Sequence, residues 1–94
     1  MSSPLKTPWK KVIRVFPGEN FSLELHWEDG HRTILSLASR IQERDIFWRL
    51  RNPRYFRKVS VDLLGGICWP DGEDLSPNYL AQHSQKIDVV PNEM

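Results

Sequence analysis

Hydrophobic and polar residues alternate without interruption along residues 21–27, FSLELHW. Such alternation is typical of a β-strand that buries one face and exposes the other. Asp29-Gly30 follows closely, and this dipeptide is a preferred pair for a two-residue type I′ hairpin turn. We therefore predict a β-hairpin whose register places Leu25 opposite Ile34.

A further strand is predicted before this hairpin and a helical region after it. Residues 11–16 (KVIRVF) are rich in β-branched side chains and end at a Pro-Gly turn signal. Beyond residue 37 the hydrophobic residues recur at helical spacing, which predicts a helix over residues 39–51. Asp45 is a suitable N-cap for a second helical turn, so we expect a break near Arg44. Asn52-Pro53 ends the helix, because the residue before proline disfavours the α region.

Alternation with a period of two returns over residues 57–63, which predicts another strand. Its two valines and Leu63 are expected on the buried face. Gly65-Gly66 then turns the chain into a short partner strand at residues 67–69.

The stretch that follows is dense in turn and helix-start signals. Trp69-Pro70-Asp71-Gly72 has the residue preferences of a type I turn, with proline at the second position and glycine at the fourth. Ser76-Pro77 predicts a helix start, because serine caps exposed N–H groups and proline at the first helical position loses no hydrogen bond. We expect Trp69 to pack against the sheet and Cys68 to point to its other side.

Together these elements predict an α+β protein with a small, mostly antiparallel sheet of about five strands and one or two short helices. A chain of 94 residues is long enough for one domain with one modest core. We assign residues 1–94 to this domain and place its core at about residues 10–82. The termini, including the residues from Ser84 onward, are expected to be loosely held.

Composition predicts a cytoplasmic protein. A single cysteine cannot form an internal disulfide and fits a reducing compartment. No hydrophobic run reaches the roughly 18 residues that a membrane span needs. The N-terminus has no apolar stretch of signal-peptide length, so we expect no membrane association.

The net charge of +1 conceals a segregation of charge along the chain. Residues 40–58 carry six arginines and one lysine against two acids, whereas residues 71–94 carry five acids against one lysine. Segregation of this kind concerns partners and self-association more than the fold. We therefore expect contact surfaces at a basic segment (residues 49–58) and an acidic turn (residues 71–74). The candidate partner-binding residues are Arg49, Arg51, Arg54, Arg57, Lys58, Asp71, Glu73 and Asp74.

The order of these elements resembles a family of small bacterial proteins known only as domain-of-unknown-function family 2442. The most specific motif is W-P-D-G-x-D-L-x-P at residues 69–77, preceded by N-P-x-x-F at residues 52–56. The resemblance covers roughly residues 10–82 and implies a small α+β domain with no enzymatic activity that can be named. It also implies gene pairs of the toxin–antitoxin type. Longer members append a helix-turn-helix, which we do not expect in a chain of this length.

The basic segment supports an alternative function, that of a regulator that binds nucleic acid. Residues 48–58 (WRLRNPRYFRK) interleave basic side chains with aromatic rings, as single-stranded nucleic-acid binders do. The near-neutral net charge argues against this function, because nucleic-acid-binding domains are usually strongly basic.

The predicted hairpin also places histidines and carboxylates on its polar face. Glu24, His26 and Glu28 share one side of their strand, and the predicted register sets His31 opposite Glu28. These residue types bind zinc and related metals. The same spacing occurs on any polar hairpin face, so we predict neither a metal nor another cofactor.

The chain contains no nucleophile-elbow, phosphate-loop or zinc-protease motif, and we expect no enzymatic activity. The sequence therefore predicts a non-enzymatic protein-interaction module. Its partner is expected to be another small protein, as in a toxin–antitoxin-like pair, although the opposite charges of the two surfaces also suit self-association.

Overall fold

A computed structural model describes residues 10–87 of the chain. The strands are β1 (Val12–Pro17), β2 (Ser22–Trp27), β3 (Arg32–Ser36), β4 (Ser60–Val61), β5 (Ile67–Cys68), β6 (Asp74–Leu75) and β7 (Gln85–Lys86). The α-helices are α1 (Ala38–Glu43), α2 (Pro53–Phe56) and α3 (Pro77–His83), and a 3₁₀ segment covers Asp45–Arg51. None of the helices in this range is long and apolar enough to cross a membrane.

The strands form two antiparallel sheets, one with the order β1-β2-β3-β7 and one with the order β4-β5-β6. The α+β class is confirmed, with the strands divided between two sheets rather than joined in one. The sequence did not predict β7, which pairs with β3 just beyond the expected core. The prediction that the residues from Ser84 onward are loosely held is therefore wrong for residues 84–87, which are hydrogen-bonded to α3 and β3. The remaining terminal residues, 1–9 and 88–94, lie outside the described residues.

The β2–β3 hairpin is confirmed, but its register differs by one residue from the prediction. Leu25 pairs with Thr33 and not with Ile34. Thr33 and Leu35 therefore face the core, whereas Ile34 lies on the outer side. The buried hydroxyl of Thr33 accepts a hydrogen bond from Nε1 of Trp27 at 2.9 Å, which satisfies both polar groups.

The register differs because the hairpin loop has three residues instead of two. The N–H of Gly30 donates to the carbonyl of Trp27 at 3.0 Å, and the N–H of Trp27 donates to the carbonyl of His31 at 2.9 Å. Gly30 has a φ of 93°, a left-handed conformation that favours glycine. A type I turn followed by a left-handed glycine is the common three-residue hairpin loop, and Asp-Gly is compatible with it.

The helical region breaks at Arg44, as predicted. Asp45 does not cap the second segment, because Arg44 occupies the N-cap position and no side chain makes the capping hydrogen bond. Arg51 holds the junction instead. Its Nε donates to the carbonyl of Ile41 at 3.1 Å, and its Nη2 donates to the next carbonyl at 3.4 Å. Arg51 thereby satisfies carbonyl groups at the end of α1 that lack helical partners.

The strand predicted over residues 57–63 is shortened to β4, and Leu63 is exposed rather than buried. The reason is the side chain of Asp62, whose Oδ1 accepts the backbone N–H groups of Leu64 at 2.8 Å and Gly66 at 3.0 Å. This Asx turn takes the chain out of the strand before Leu63. The tip of the turn therefore carries two leucines.

Two glycines allow this turn to pack against the rest of the protein. The carbonyl of Gly65 accepts the N–H of Val12 at 2.9 Å, which places β1 beside the turn. A β-carbon on Gly66 would lie only 2.3 Å from the carbonyl oxygen of Leu75, so this close approach of β6 requires glycine.

The hydrophobic core joins both sheets to the helices. Trp69 is buried in it, as Trp27 is, and Nε1 of the Trp69 indole donates to the carbonyl of Phe56 at 2.9 Å. The type I turn that follows Trp69 is confirmed by a hydrogen bond from the N–H of Gly72 to the carbonyl of Trp69 at 3.1 Å. The start of α3 is confirmed as well, because the side chain of Ser76 accepts the N–H of Tyr79 at 3.1 Å. The buried hydrophobic residues are Val12, Leu23, Leu25, Trp27, Leu35, Leu37, Ile41, Leu50, Phe56, Ile67, Trp69, Leu75 and Leu80.

Candidate functional site

The basic segment and the acidic turn are in direct contact with each other. Nη1 of Arg49 donates to Oε2 of Glu73 at 3.1 Å, although the two residues are 24 positions apart. Nε of the same guanidinium lies 3.4 Å from Oδ2 of Asp71. One arginine of the basic segment therefore binds two carboxylates of the acidic turn.

Tyr55 completes this contact, and sequence reasoning did not single it out. Its hydroxyl donates to Oε1 of Glu73 at 2.6 Å and accepts the backbone N–H of Asp71 at 2.8 Å. Tyr55 lies on α2 directly before Phe56, whose side chain is buried in the core. Packing of Phe56 thus positions the tyrosine over the turn. We call Arg49, Tyr55, Asp71 and Glu73 the charge network.

Glu73 is the buried centre of the charge network. Its side chain is 4% exposed, compared with 38% for Arg49 and 55% for Asp71. A buried carboxylate is stable only when hydrogen bonds replace its lost hydration, and here a hydroxyl and a guanidinium supply them. Glu73 therefore braces the fold, and its contribution to a partner surface stays a prediction.

The same contacts set the protonation of the charge network. Burial alone raises the pKa of Glu73, but the hydrogen bonds from Tyr55, its own backbone and Arg49 outweigh burial and lower the pKa below the ordinary value of 4.5. Burial, together with the hydrogen bond to Glu73, raises the pKa of Tyr55 above its ordinary value. At neutral pH the carboxylate is thus charged and the phenol retains the proton that it donates.

The lowered pKa of Glu73 predicts a loss of stability in acid. Because the unfolded chain takes up this proton at a higher pH than the folded chain, the stabilisation is present above the ordinary carboxyl pKa and is lost as the pH falls through the folded pKa. We expect the urea midpoint to decrease as the pH falls below the ordinary carboxyl pKa of 4.5. The Glu73→Gln variant should show a shallower decrease.

A second carboxylate, Asp29, also has a lowered pKa, chiefly because it accepts the backbone N–H of His31. Protonation of Asp29 therefore also lowers the stability in acid, and the Glu73→Gln variant should retain part of the pH dependence. Identical pH profiles for the wild-type protein and Glu73→Gln would contradict the assigned role of Glu73.

The other candidate partner-binding residues fall into two groups. Arg51 is engaged with the end of α1 and lies 3.9 Å from Asp45. Arg54, Arg57 and Lys58 are exposed, and within residues 10–87 none of them forms an ion pair. Asp74, in β6, is exposed as well. The free basic surface is therefore smaller than the sequence suggested.

The hairpin histidines and carboxylates do not form one set. Nε2 of His26 lies 2.7 Å from Glu24, whereas Nδ1 of His31 lies 2.8 Å from Asp29 at the loop. Glu28 accepts a backbone N–H from the residue before β1. Within the part of the chain that the structure describes, no three His, Cys, Asp or Glu side chains are placed to hold a metal ion.

Four large hydrophobic side chains are exposed on the Asx turn and on β1, which is hydrogen-bonded to that turn. Leu63 is 97% exposed and Leu64 is 78% exposed, although both are held on a hydrogen-bonded turn. Ile13 and Phe16 of β1 are also about half exposed, and β1 is hydrogen-bonded to this turn. We call these four residues the apolar patch. Period-two alternation could not reveal it, because it assigned Leu63 to the core.

Comparison with known proteins gives one match. The model of a family described as "Protein of unknown function (DUF2442)" matches residues 12–86, from the first residue of β1 to the last residue of β7. Searches of the curated proteins and of the solved structures found no match.

Proposed function

We propose a function for this chain from its geometry, since it belongs to DUF2442, a family described only as of unknown function. We infer that it is a non-enzymatic protein-interaction module of the cytoplasm. The apolar patch is the observation that carries this proposal. It consists of four large hydrophobic side chains on two adjacent segments. Exposed apolar surface of this kind costs solubility and marks sites of protein contact.

The leucines of the apolar patch are presented on a preorganised turn. The backbone N–H groups of Leu64 and Gly66 donate to the side chain of Asp62. The N–H of Gly65 donates to the backbone carbonyl of Asp62 at 3.1 Å. Gly65 has a φ of 91°, which fixes the end of the turn. A rigid turn loses little conformational entropy when it binds, so two leucines at its tip are effective anchors for a partner.

The surroundings of the apolar patch indicate the chemistry of the partner. Lys11 packs against Gly65, and Arg14 is exposed on β1 between Ile13 and Phe16. The complementary surface is therefore an apolar groove bordered by acidic side chains. We expect it on another small protein, such as the second member of a toxin–antitoxin-like pair.

The double variant Leu63→Ser/Leu64→Ser tests this proposal. Both side chains are exposed, so the thermal midpoint should be unchanged, whereas partner affinity should fall roughly tenfold or more because anchoring side chains dominate interfaces. The measurement is capture of the partner by tagged full-length chain from its native cells, followed by titration of the partner identified.

The control is Ile46→Ser/Trp48→Ser, which removes two other exposed hydrophobic residues from the 3₁₀ segment. This control should bind the partner normally. Equal capture by both double variants would remove the apolar patch from consideration. Capture of the chain by a second copy of itself would replace the heterologous partner with a homo-oligomer.

Nucleic-acid binding is the second candidate function, because Arg54, Arg57 and Lys58 are exposed without an intramolecular ion pair in the described range. The same capture repeated at two salt concentrations separates the two functions. Phosphate contacts lose affinity steeply as salt rises, whereas an apolar protein interface tolerates moderate salt.

A further inference from the structure

A cleft of about 260 Å³ lies between α1, the 3₁₀ segment and α3, and it is separate from the apolar patch. Its lining residues are Arg40, Arg44, Phe47, Leu75, Tyr79 and His83. We propose that this cleft binds a small oxyanion, either a carboxylate or a phosphate monoester, that is carried on a single aromatic ring.

The lining of the cleft is divided into an apolar part and a cationic part. Phe47 is half-buried and Leu75 is buried, so together they offer a hydrophobic surface. Arg40 and Arg44 bring two positive charges to the same cleft, and no acidic side chain lines it. Sites for small organic ligands combine a hydrophobic lining with a few polar groups in this way.

The donors at one side of the cleft are already oriented. Nη2 of Arg40 lies 3.1 Å from Nδ1 of His83, and its guanidinium carbon lies 5.5 Å from the centre of the Tyr79 ring. The rings of Tyr79 and His83 pack with their centres 4.3 Å apart. Because a guanidinium only donates, Nδ1 accepts, and the ring proton of His83 is placed on Nε2. Arg40 and His83 thus each retain N–H donors for an anion.

The two arginines carry a charge that the fold does not neutralise. Arg40 lies in the last turn of α1, and Arg44 is the extended residue that follows the helix. Neither has an acidic partner within ion-pair distance among residues 10–87, in contrast to Arg49 and Arg51. An anion in the cleft would pair with these two charges, and arginine binds carboxylates and phosphates alike through paired N–H donors.

The volume of the cleft limits the size of the ligand. Most sites for drug-sized molecules enclose about 300–1,000 Å³, so a cleft of about 260 Å³ suits one ring with its anionic group. Phenyl phosphate and benzoate are therefore suitable probes, and they distinguish a phosphate from a carboxylate.

The test is to titrate each probe into the full chain and to monitor binding through the NMR signals of Tyr79 and His83. We expect saturable binding of at least one probe, with the largest shifts at these two residues. Inorganic phosphate and benzyl alcohol, which each carry one half of the probe, should bind at least roughly tenfold more weakly. Absence of saturation with both probes at millimolar concentration would overturn the proposal.

Variants of matched charge decide where the anion binds. Arg44→Gln should weaken probe binding roughly tenfold or more, whereas Arg54→Gln, which removes an exposed arginine from α2, should not change it. Equal weakening by both variants would mean unspecific attraction and would overturn the site. The Leu63→Ser/Leu64→Ser variant should bind the probe normally, so the cleft and the proposed partner surface can fail independently.

Discussion

Replacing Trp69 with alanine is expected to lower the free energy of unfolding by about 3–5 kcal/mol. The indole is 3% exposed, and its ring centre lies 6.0 Å from that of Phe56. Truncation therefore leaves a cavity where α2 meets the three-stranded sheet. It also removes the donor to the buried carbonyl of Phe56. Since small domains are stable by about 5–15 kcal/mol, this variant should lose a large fraction of its stability and unfold at a much lower urea concentration.

Trp48→Ala is the matched control, because it makes the same chemical change at a side chain that is 58% exposed. The loss there should be at most about 1 kcal/mol, which corresponds to the contact between its ring and the Arg49 guanidinium. Urea denaturation of both variants, followed by far-ultraviolet circular dichroism, measures the difference. Similar midpoints for the two variants would show that Trp69 does not belong to the core.

Glu73→Ala should give the second largest effect, a loss of about 2–3 kcal/mol in the free energy of unfolding. The substitution leaves the hydroxyl of Tyr55 and one N–H of Arg49 without their acceptor. This loss in the free energy of unfolding is smaller than for a fully buried ion pair, because Arg49 is 38% exposed and water can solvate its charge.

Asp74→Ala provides the comparison, because Asp74 is an exposed acid of the same turn and should change stability by less than about 0.5 kcal/mol. Denaturation midpoints and partner capture should be measured on both variants. If Glu73→Ala kept full stability but lost the partner, the acidic turn would be a contact surface after all.

Features that depend on neighbouring residues were predicted from the sequence. Ser76 and Pro77 start α3 as their capping preferences require, and the turn after Trp69 has the expected hydrogen bond. In each case the residues that determine the geometry lie within a few positions of one another, so that local preference alone decides.

The hairpin register and the shortened strand could not be predicted in the same way. Asp-Gly fits both two-residue and three-residue loops, and only cross-strand packing such as the bond from Trp27 to Thr33 selects between them. Likewise, alternation predicts Leu63 as buried, whereas two backbone hydrogen bonds to Asp62 end the strand first.

The charge network shows the same limit for the candidate site. The sequence identified Arg49, Asp71 and Glu73 as charged residues of interest, but it could not show that they bind one another. Their contact joins segments that are 24 residues apart and depends on Phe56 positioning Tyr55 over the turn. Charge patterning reveals which residues need partners, and only the fold determines whether those partners lie within the chain.

β7 consists of two residues, yet it covers the outer edge of β3. Within the described range, every buried hydrophobic residue lies between Val12 and Leu80, so a chain cut after Ser84 would keep its core. Such a cut would nevertheless leave unpaired N–H and C=O groups along β3, on which strands of other molecules can pair. We therefore expect Gln85 and Lys86 to protect the folded protein from aggregation.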